Sequence, residues 1–336
     1  MDYLYNSDID FVILWVDGND RKWLQKKAQY VPNLTADVSK ERYRDWDNLK
    51  YWFRGVAKYA PWVRKIHFVT DEQVPEWLNT ENPHLHCVNH SDYISEDVLP
   101  LFNSNAIEIG IHKIPDLADK FVLFNDDVFL TQPITPEYYF TNGLPNDMAG
   151  LTRKCIVTEE NTFANILSND YALLNAHFRK KQVIKSMPEK WLKLSYGKTF
   201  LRTLLNLGRN NFDGMVIPHL SVPYLKTDFE KVWNAEGNLL SQTQAHRFRE
   251  NGDLNHFIFR YWRMCEGAFH PVCSKGKYIS LRSVRDIDQA VTCIRRHSHP
   301  ELCLNDTWQD IDFENAKAKL NAAFEETLRE KCEYEI

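Results

Sequence analysis

The chain has 336 residues, 43% of them hydrophobic and 26% charged, with a formal net charge of −5. That length suits one large or two ordinary domains at ~150 residues each, and the acidic balance excludes a globally basic nucleic-acid binder. Seven cysteines, odd in number and without C-x-x-C spacing, exclude a disulfide framework or a zinc ribbon and point to a reducing compartment.

The first apolar run, residues 11–16, is short and follows Asp8 and Asp10, so it reads as neither signal peptide nor membrane span. A cytoplasmic protein is expected. Residues 9–16 form a buried-strand pattern that ends in the turn Asp17-Gly18-Asn19-Asp20. Residues 22–30 look helical and 31–40 form a polar loop. After Arg42-Tyr-Arg-Asp-Trp-Asp47, Leu49, Trp52, Phe53, Val56, Ala57 and Ala60 make one helical stripe, with Asp47 as its expected N-cap and Pro61 as its stop. A second strand is predicted at 65–71 and a third at 85–88. A helix over 104–114 places Glu108 and His112 four apart on one face, as a ligand pair or as an ordinary surface pair.

The central stretch is Phe121-Val-Leu-Phe-Asn-Asp-Asp-Val-Phe-Leu130. A continuous apolar run reads as a strand covered on both faces. Asp126 and Asp127 then fall at its carboxyl end, where open α/β sheets bind ligands. Carboxylates between two apolar runs are costly unless a cation meets them, which points to a divalent metal or an Arg/Lys partner.

Residues 147–151 suggest a further strand. Between 175 and 211, nine Lys and Arg face one acid, Glu189, and Leu192, Tyr196, Phe200 and Leu204 recur every four residues. This reads as a basic amphipathic helix, suited to a polyanionic acceptor, to an anionic membrane surface, or simply to helical cover. The proline-punctuated stretch 216–226 offers His219 and Lys226. Leu254, Phe257, Ile258 and Tyr261 supply another helix, and Arg247 and Arg249 precede it, where the helix dipole disfavours cations unless they answer an anion. Leu302-Cys-Leu-Asn-Asp306 repeats the apolar-strand-into-Asn-Asp logic, and Phe313, Leu320, Phe324 and Leu328 mark a C-terminal packing helix.

Four blocks resemble the Stealth family of hexose-1-phosphate transferases: residues 9–20, residues 42–140 with Asn125-Asp-Asp127, residues 218–265 with Pro218-His219, and residues 302–306. The resemblance implies an α/β fold, with an open, mostly parallel Rossmann-like sheet of the nucleotide-sugar transferase type and an inserted helical lobe. The expected division is a composite catalytic domain from 1–151 and 211–310, a basic lobe at 152–210, and a packing helix at 311–336. It also implies transfer of a hexose-1-phosphate, such as GlcNAc-1-phosphate, from a UDP-sugar to a sugar hydroxyl, forming a phosphodiester and releasing UMP in capsular or surface polysaccharide synthesis. Carried over by residue, Asp127, His219 and Arg249 are expected to be catalytic. Asp17, Gly18, Arg42, Glu108 and Lys226 are expected to contact nucleotide or substrate. Asp126, Asp127, Asn305 and Asp306 are expected to hold a divalent metal, Mg²⁺ or Mn²⁺. His219-Leu-Ser-Val-Pro-Tyr departs from the family's His-x-Pro.

The implied partners are a UDP-sugar donor, an oligosaccharide or polysaccharide acceptor that can be lipid-linked, and the inner face of the cell membrane, with no nucleic acid. Two rival readings remain at this point: a metal-dependent glycosyltransferase that would release UDP, and a non-catalytic polysaccharide-binding protein.

Overall fold

A computed structural model describes residues 7–31, 44–158, 161–307 and 312–336, so Arg42 and the loop at 32–40 lie outside the described residues. In chain order the elements are β1 (Ile9–Leu14), α1 (Arg21–Ala28), α2 (Leu49–Tyr59), β2 (Ile66–Thr70), β3 (Leu85–Asn89), α3 (Ser104–Glu108), β4 (Lys120–Phe124), β5 (Val128–Leu130), β6 (Phe140–Thr141) and β7 (Leu144–Asp147). There follow α4 (Thr162–His177), α5 (Lys180–Ser186), α6 (Pro188–Trp191), α7 (Lys198–Asn206), β8 (Val222–Leu225), α8 (Lys226–Gln244) and α9 (Phe257–Glu266). The chain closes with β9 (His270–Pro271), β10 (Lys277–Leu281), α10 (Val284–Arg295), β11 (Glu301–Asp306) and α11 (Phe313–Thr327).

The main sheet has the order β3-β2-β1-β4-β8. Its first four strands are parallel and β8 runs antiparallel to β4, so the expected α/β class with an open, mostly parallel sheet is present. Parallel strands are covered on both faces, and the side-chain period of two divides each strand between two cores. Val122 and Phe124 of β4 enter one core with Phe11 and Phe68, while Phe121 and Leu123 enter the other with Val12 and Val69. Each such side chain, when fully buried, stabilises the fold by roughly 1.5–3 kcal/mol relative to exposure.

The first core is closed by α2, α10, α11 and a second sheet, β10-β11-β5. The second is closed by α8, α9 and the helices of residues 162–191, whose Leu167, Tyr171, Leu174, Val183 and Trp191 join it. Behind β8, Asp147 at the end of β7 accepts from Arg260 (Nε 2.8 Å, Nη2 2.7 Å) and Arg263 (3.0 Å), and Arg263 also donates to Asp228 at 2.7 Å. All four are buried, and together they lock β7, α8 and α9.

Beyond β4, which ends at Phe124 ahead of the acids as expected, a turn closed by Val128 N–H donating to Asn125 C=O at 3.1 Å reverses the chain, and the apolar residues that follow form β5, paired with β11 in the second sheet. Several expectations change. The helix expected at 104–114 ends at Glu108 and a 3₁₀ turn follows, so His112 leaves the Glu108 face and stacks on Phe229 at 5.3 Å. Asn48, not Asp47, precedes α2; Asp47 adopts φ +51° and its N–H donates to Asp45 Oδ1 at 2.7 Å. The single basic helix at 175–211 is three short ones, interrupted at Pro188 and Gly197.

Candidate active site

The turn at residues 125–127 projects Asp126 and Asp127 from the carboxyl end of β4. Asp127 is fixed by the second sheet. Its backbone C=O accepts from Leu304 N–H at 2.8 Å, and its Oδ2 accepts from the Cys303 thiol and the Asn305 amide, each at 3.4 Å. Its other oxygen, Oδ1, is buried without a hydrogen-bond partner among the described residues. An orphaned carboxylate oxygen is expensive. Burial accordingly raises the Asp127 pKa, against the lowering pull of Cys303, Asn305 and His219.

Asp126 is open to solvent, but desolvation by the surrounding protein, with the charges of Asp127 and Asp45, pushes its carboxyl up to about 7. Desolvation also raises Asp45, with repulsion from Asp47 and Asp17 adding to it. Asp45 thus feels Asp17 on one side and Asp126 on the other, and Asp126 feels Asp127. Asp45 went unremarked in the sequence because it reads as one charge of an alternating Arg-Asp-Trp-Asp string.

Its neighbour Arg44 makes a two-pronged pair with Asp306 (Nε–Oδ2 2.9 Å, Nη2–Oδ1 2.7 Å), and Trp46 Nε1 adds a third bond at 3.0 Å. Asp306 therefore holds the 44–46 segment in place. Its oxygens are engaged there, by Arg44 on both and by Trp46 on Oδ2. Asn305 is similarly engaged, donating to Asp127 and accepting from the Tyr278 hydroxyl at 3.2 Å, so it orients Asp127.

His219 reaches this edge because β8 is antiparallel to β4: Leu123 pairs with Val222, which puts the preceding loop at the carboxyl end of β4. The imidazole sits over the Tyr278 ring at 4.8 Å, with φ +50° in its own backbone. Desolvation lowers its pKa, opposed by the Asp127 charge, so it is neutral at pH 7. The same register explains Lys226. It follows β8 at the amino end of β4, where its N–H donates to Asp119 C=O at 2.9 Å. That is a strand length of about 13 Å from the acids, so Lys226 is not brought to the cleft.

Asp17 and Gly18 follow β1 at the same carboxyl edge. Gln73 pins them, accepting from Asp17 N–H at 2.9 Å and donating to Asp17 C=O at 3.0 Å. Next to them, Val16 packs on the stacked Phe102 and Phe248 rings (5.3 Å) and on Trp23. That small cluster fixes the neighbours of its two phenylalanines. Arg249 Nη2 donates to Ser104 Oγ at 2.5 Å. Glu108 lies against both, and burial pushes its carboxyl up to about 7, opposed by the Arg249 charge and the Ser104 hydroxyl. Glu108 is buried in this polar group, with His256 3.9 Å away.

Among the described residues no three His, Cys, Asp or Glu side chains are already gathered as a metal site. The donor set nevertheless fits a hard divalent cation of the Mg²⁺ type, which takes one or two carboxylates and fills its remaining positions with water and substrate phosphate. Asp127 Oδ1, unpartnered among the described residues, and the carboxylate of Asp126, open to solvent, are available for it. No helix among the described residues is long and apolar enough to cross a membrane, and none of the seven cysteines is bridged.

Residues 7–35 match Stealth protein conserved region 1 and residues 42–147 match conserved region 2. The capsular polysaccharide phosphotransferase WcwK of Streptococcus pneumoniae is 35% identical over 333 residues, covering 98% of each chain. The exopolysaccharide phosphotransferase cps2G of Lactiplantibacillus plantarum is 36% identical over 331 residues (98% of this chain, 96% of that one). The receptor polysaccharide phosphotransferase WefC of Streptococcus gordonii is 36% identical over 338 residues (98% and 99%). Among solved structures, the galactosyltransferase LgtC aligns over 93% of this chain and 95% of its own with 11% identity and a TM-score of 0.36.

Proposed function

This chain belongs to the Stealth family of polysaccharide phosphotransferases, and from that premise we propose that it moves a hexose-1-phosphate from a UDP-sugar to a hydroxyl of a growing surface polysaccharide, releasing UMP. That it is a sugar-phosphate transferase follows from the family; the donor, the leaving nucleotide and the residue roles are this proposal's own. The observation that carries it is the pairing of a solvent-open Asp126 and an orphaned Asp127 Oδ1 with a neutral imidazole at the same sheet edge.

The donor's diphosphate would lie over the two acids, with the nucleotide toward Asp17 and Gly18. A divalent metal held by Asp126 and Asp127, Mg²⁺ or Mn²⁺, would supply charge neutralisation for that diphosphate. His219, kept neutral by its desolvated seat, would accept the proton of the acceptor hydroxyl. The acceptor oxygen then bonds to the phosphorus nearest the sugar while that phosphorus loses the bridging oxygen, which departs with UMP. Arg249, which donates to Ser104 next to Glu108, would steady the leaving phosphate. Because the sugar's C1–O bond is untouched, the anomeric configuration is retained. The acceptor is a sugar hydroxyl.

The test incubates the purified chain with UDP-hexoses, Mg²⁺ and short oligosaccharides, and reads the nucleotide by ion-exchange chromatography and the product by phosphorus NMR. UMP with a new phosphodiester resonance is expected. UDP as the sole nucleotide product would replace this reading with a glycosyltransferase.

A further inference from the structure

Helix α7 is turned inside out. Its sequence, Lys198-Thr-Phe-Leu-Arg-Thr-Leu-Leu-Asn206, is amphipathic, and the usual arrangement buries the leucines. Here the buried residues are Thr199 and Thr203, while Leu201, Leu204 and Leu205 are 59%, 41% and 85% exposed. Leu194, in the 3₁₀ turn that leads into the helix, is 77% exposed.

The inversion is built in. Thr203 Oγ1 donates to Thr199 C=O at 2.8 Å and accepts from Leu151 N–H at 3.0 Å, so the threonine face is hydrogen-bonded to the protein. Gly150 permits the close approach, since a Cβ there would run into Thr199 Cγ2.

Cations rim the leucines. Lys198 and Arg202 are exposed on the helix itself, and Arg153 and Arg202 line a cavity beside Leu205, with Thr152 and Asn206. Of the nine Lys and Arg in residues 175–211, Lys180, Lys190 and Lys193 donate to backbone carbonyls and Arg209 pairs with Asp213, so the rim is made by Lys198, Arg202 and the adjoining Arg153. Protruding leucines ringed by cations do not suit a free polysaccharide, which would leave the leucines without a purpose. A two-fold contact with a second copy would set this basic rim against itself. A fluid anionic interface accepts both parts without needing shape complementarity.

We propose that α7 and Leu194 form a monotopic membrane-docking surface, with the leucines entering the acyl boundary of an anionic leaflet and Arg153 and Arg202 meeting lipid phosphate. The surface is coupled to the catalytic loop. Thr152 N–H donates to Gly214 C=O and Val216 N–H to Gly150 C=O (2.9 Å), a ribbon that ends three residues before His219. Docking would therefore hold the imidazole near the membrane plane, where an acceptor carried on a lipid would present its sugar.

The test needs no turnover, so it stands or falls apart from the proposed reaction. The full chain is co-sedimented with extruded vesicles of equal parts phosphatidylglycerol and phosphatidylcholine, and with phosphatidylcholine alone. Wild type is expected to pellet with the anionic vesicles and to stay in solution with the neutral ones. L201Q/L205Q should lose about tenfold or more of the bound fraction at unchanged Tm, because those side chains are exposed. R153Q/R202Q should lose binding and its salt dependence together. A tryptophan at Leu205 (L205W) should shift its emission to the blue on anionic vesicles and be quenched by brominated acyl chains. Wild type remaining in the supernatant, L201Q/L205Q pelleting like wild type, or light scattering that shows a dimer dissolved by L201Q/L205Q would each overturn the proposal. In the last case a second copy is the occupant.

Discussion

Arg44 and Asp306 form a two-pronged ion pair at 2.9 and 2.7 Å, across more than 260 positions of sequence. The pair fixes the segment that carries Asp45 to the end of β11, and so sets one acid of the cleft by a residue at the far end of the chain. D306N should lower stability by only about 1–2 kcal/mol, since both partners are partly exposed. Turnover should fall by more than that loss of fold accounts for, because Asp45 is no longer held. Kinetics and urea unfolding on the same preparation check this.

Asp127 is the residue whose loss should separate activity from folding. D127N should cut turnover about a hundredfold or more, roughly 3 kcal/mol of barrier. Its melting temperature in metal-free buffer should hold or rise, because the change removes a charge facing Asp126. Mg²⁺ should raise the melting temperature of wild type saturably through binding to the native state. An equal Mg²⁺ shift in D127N would take the metal away from this site.

The proposed reaction needs His219 neutral, and desolvation holds its pKa below the ordinary 6.5, against the pull of Asp127. The acid limb of kcat/KM should therefore break below that value, with activity lost as pH falls through it. H219Q should lower the plateau by about 10²–10⁴ and abolish that break. A retained break in H219Q would assign it to another group.

Glu301 gives a stability prediction of definite sign. It is buried behind the His219 loop and accepts from the hydroxyls of Ser221, Tyr139 (2.6 Å) and Tyr138 (3.3 Å). Burial raises it from 4.5 to about 7, with those hydroxyls pulling the other way. Between these values the native state keeps a proton that the unfolded chain has lost, so this group makes stability fall as pH rises through the window and level off above it. E301Q should flatten that slope in urea midpoints measured across the range.

The Asp147 cluster tests the fold itself. D147N would leave the Arg260 and Arg263 guanidiniums buried with half their compensation gone. It should cost about 3–5 kcal/mol, read as a lowered urea midpoint or as loss of soluble protein.

The strands of the main sheet were legible because a parallel strand covered on both faces writes itself as an unbroken apolar run; β1, β2 and β4 all do so. The acids at the end of β4 stood out for the same reason, as charges where apolar residues belonged. The destination of the run that resumes at Val128 was hidden, since its composition matches that of β4, and only pairing to β11 shows that it enters another sheet. Strand β10 was missed because Lys277, Tyr278 and Ser280 give it a half-polar face, and with it went Tyr278, the ring against His219. Lys226 was misplaced because its distance from the acids depends on the direction of β8, which composition does not encode. The inverted α7 was hidden for the opposite reason: its pattern is ordinary, and only the contacts of Thr199 and Thr203 reveal which side faces out.

The division of labour between the two sheets also bears on what a shortened gene product could do. A polypeptide stopped at residue 270 would keep all five strands of the main sheet, both acids of the turn, His219 and Arg249. It would lack the thiol and amide that hold Asp127 and the strand on which β5 rests. A nonsense mutation late in the reading frame should therefore silence the enzyme as thoroughly as one that removes the acids, even where the remnant still accumulates in the cell.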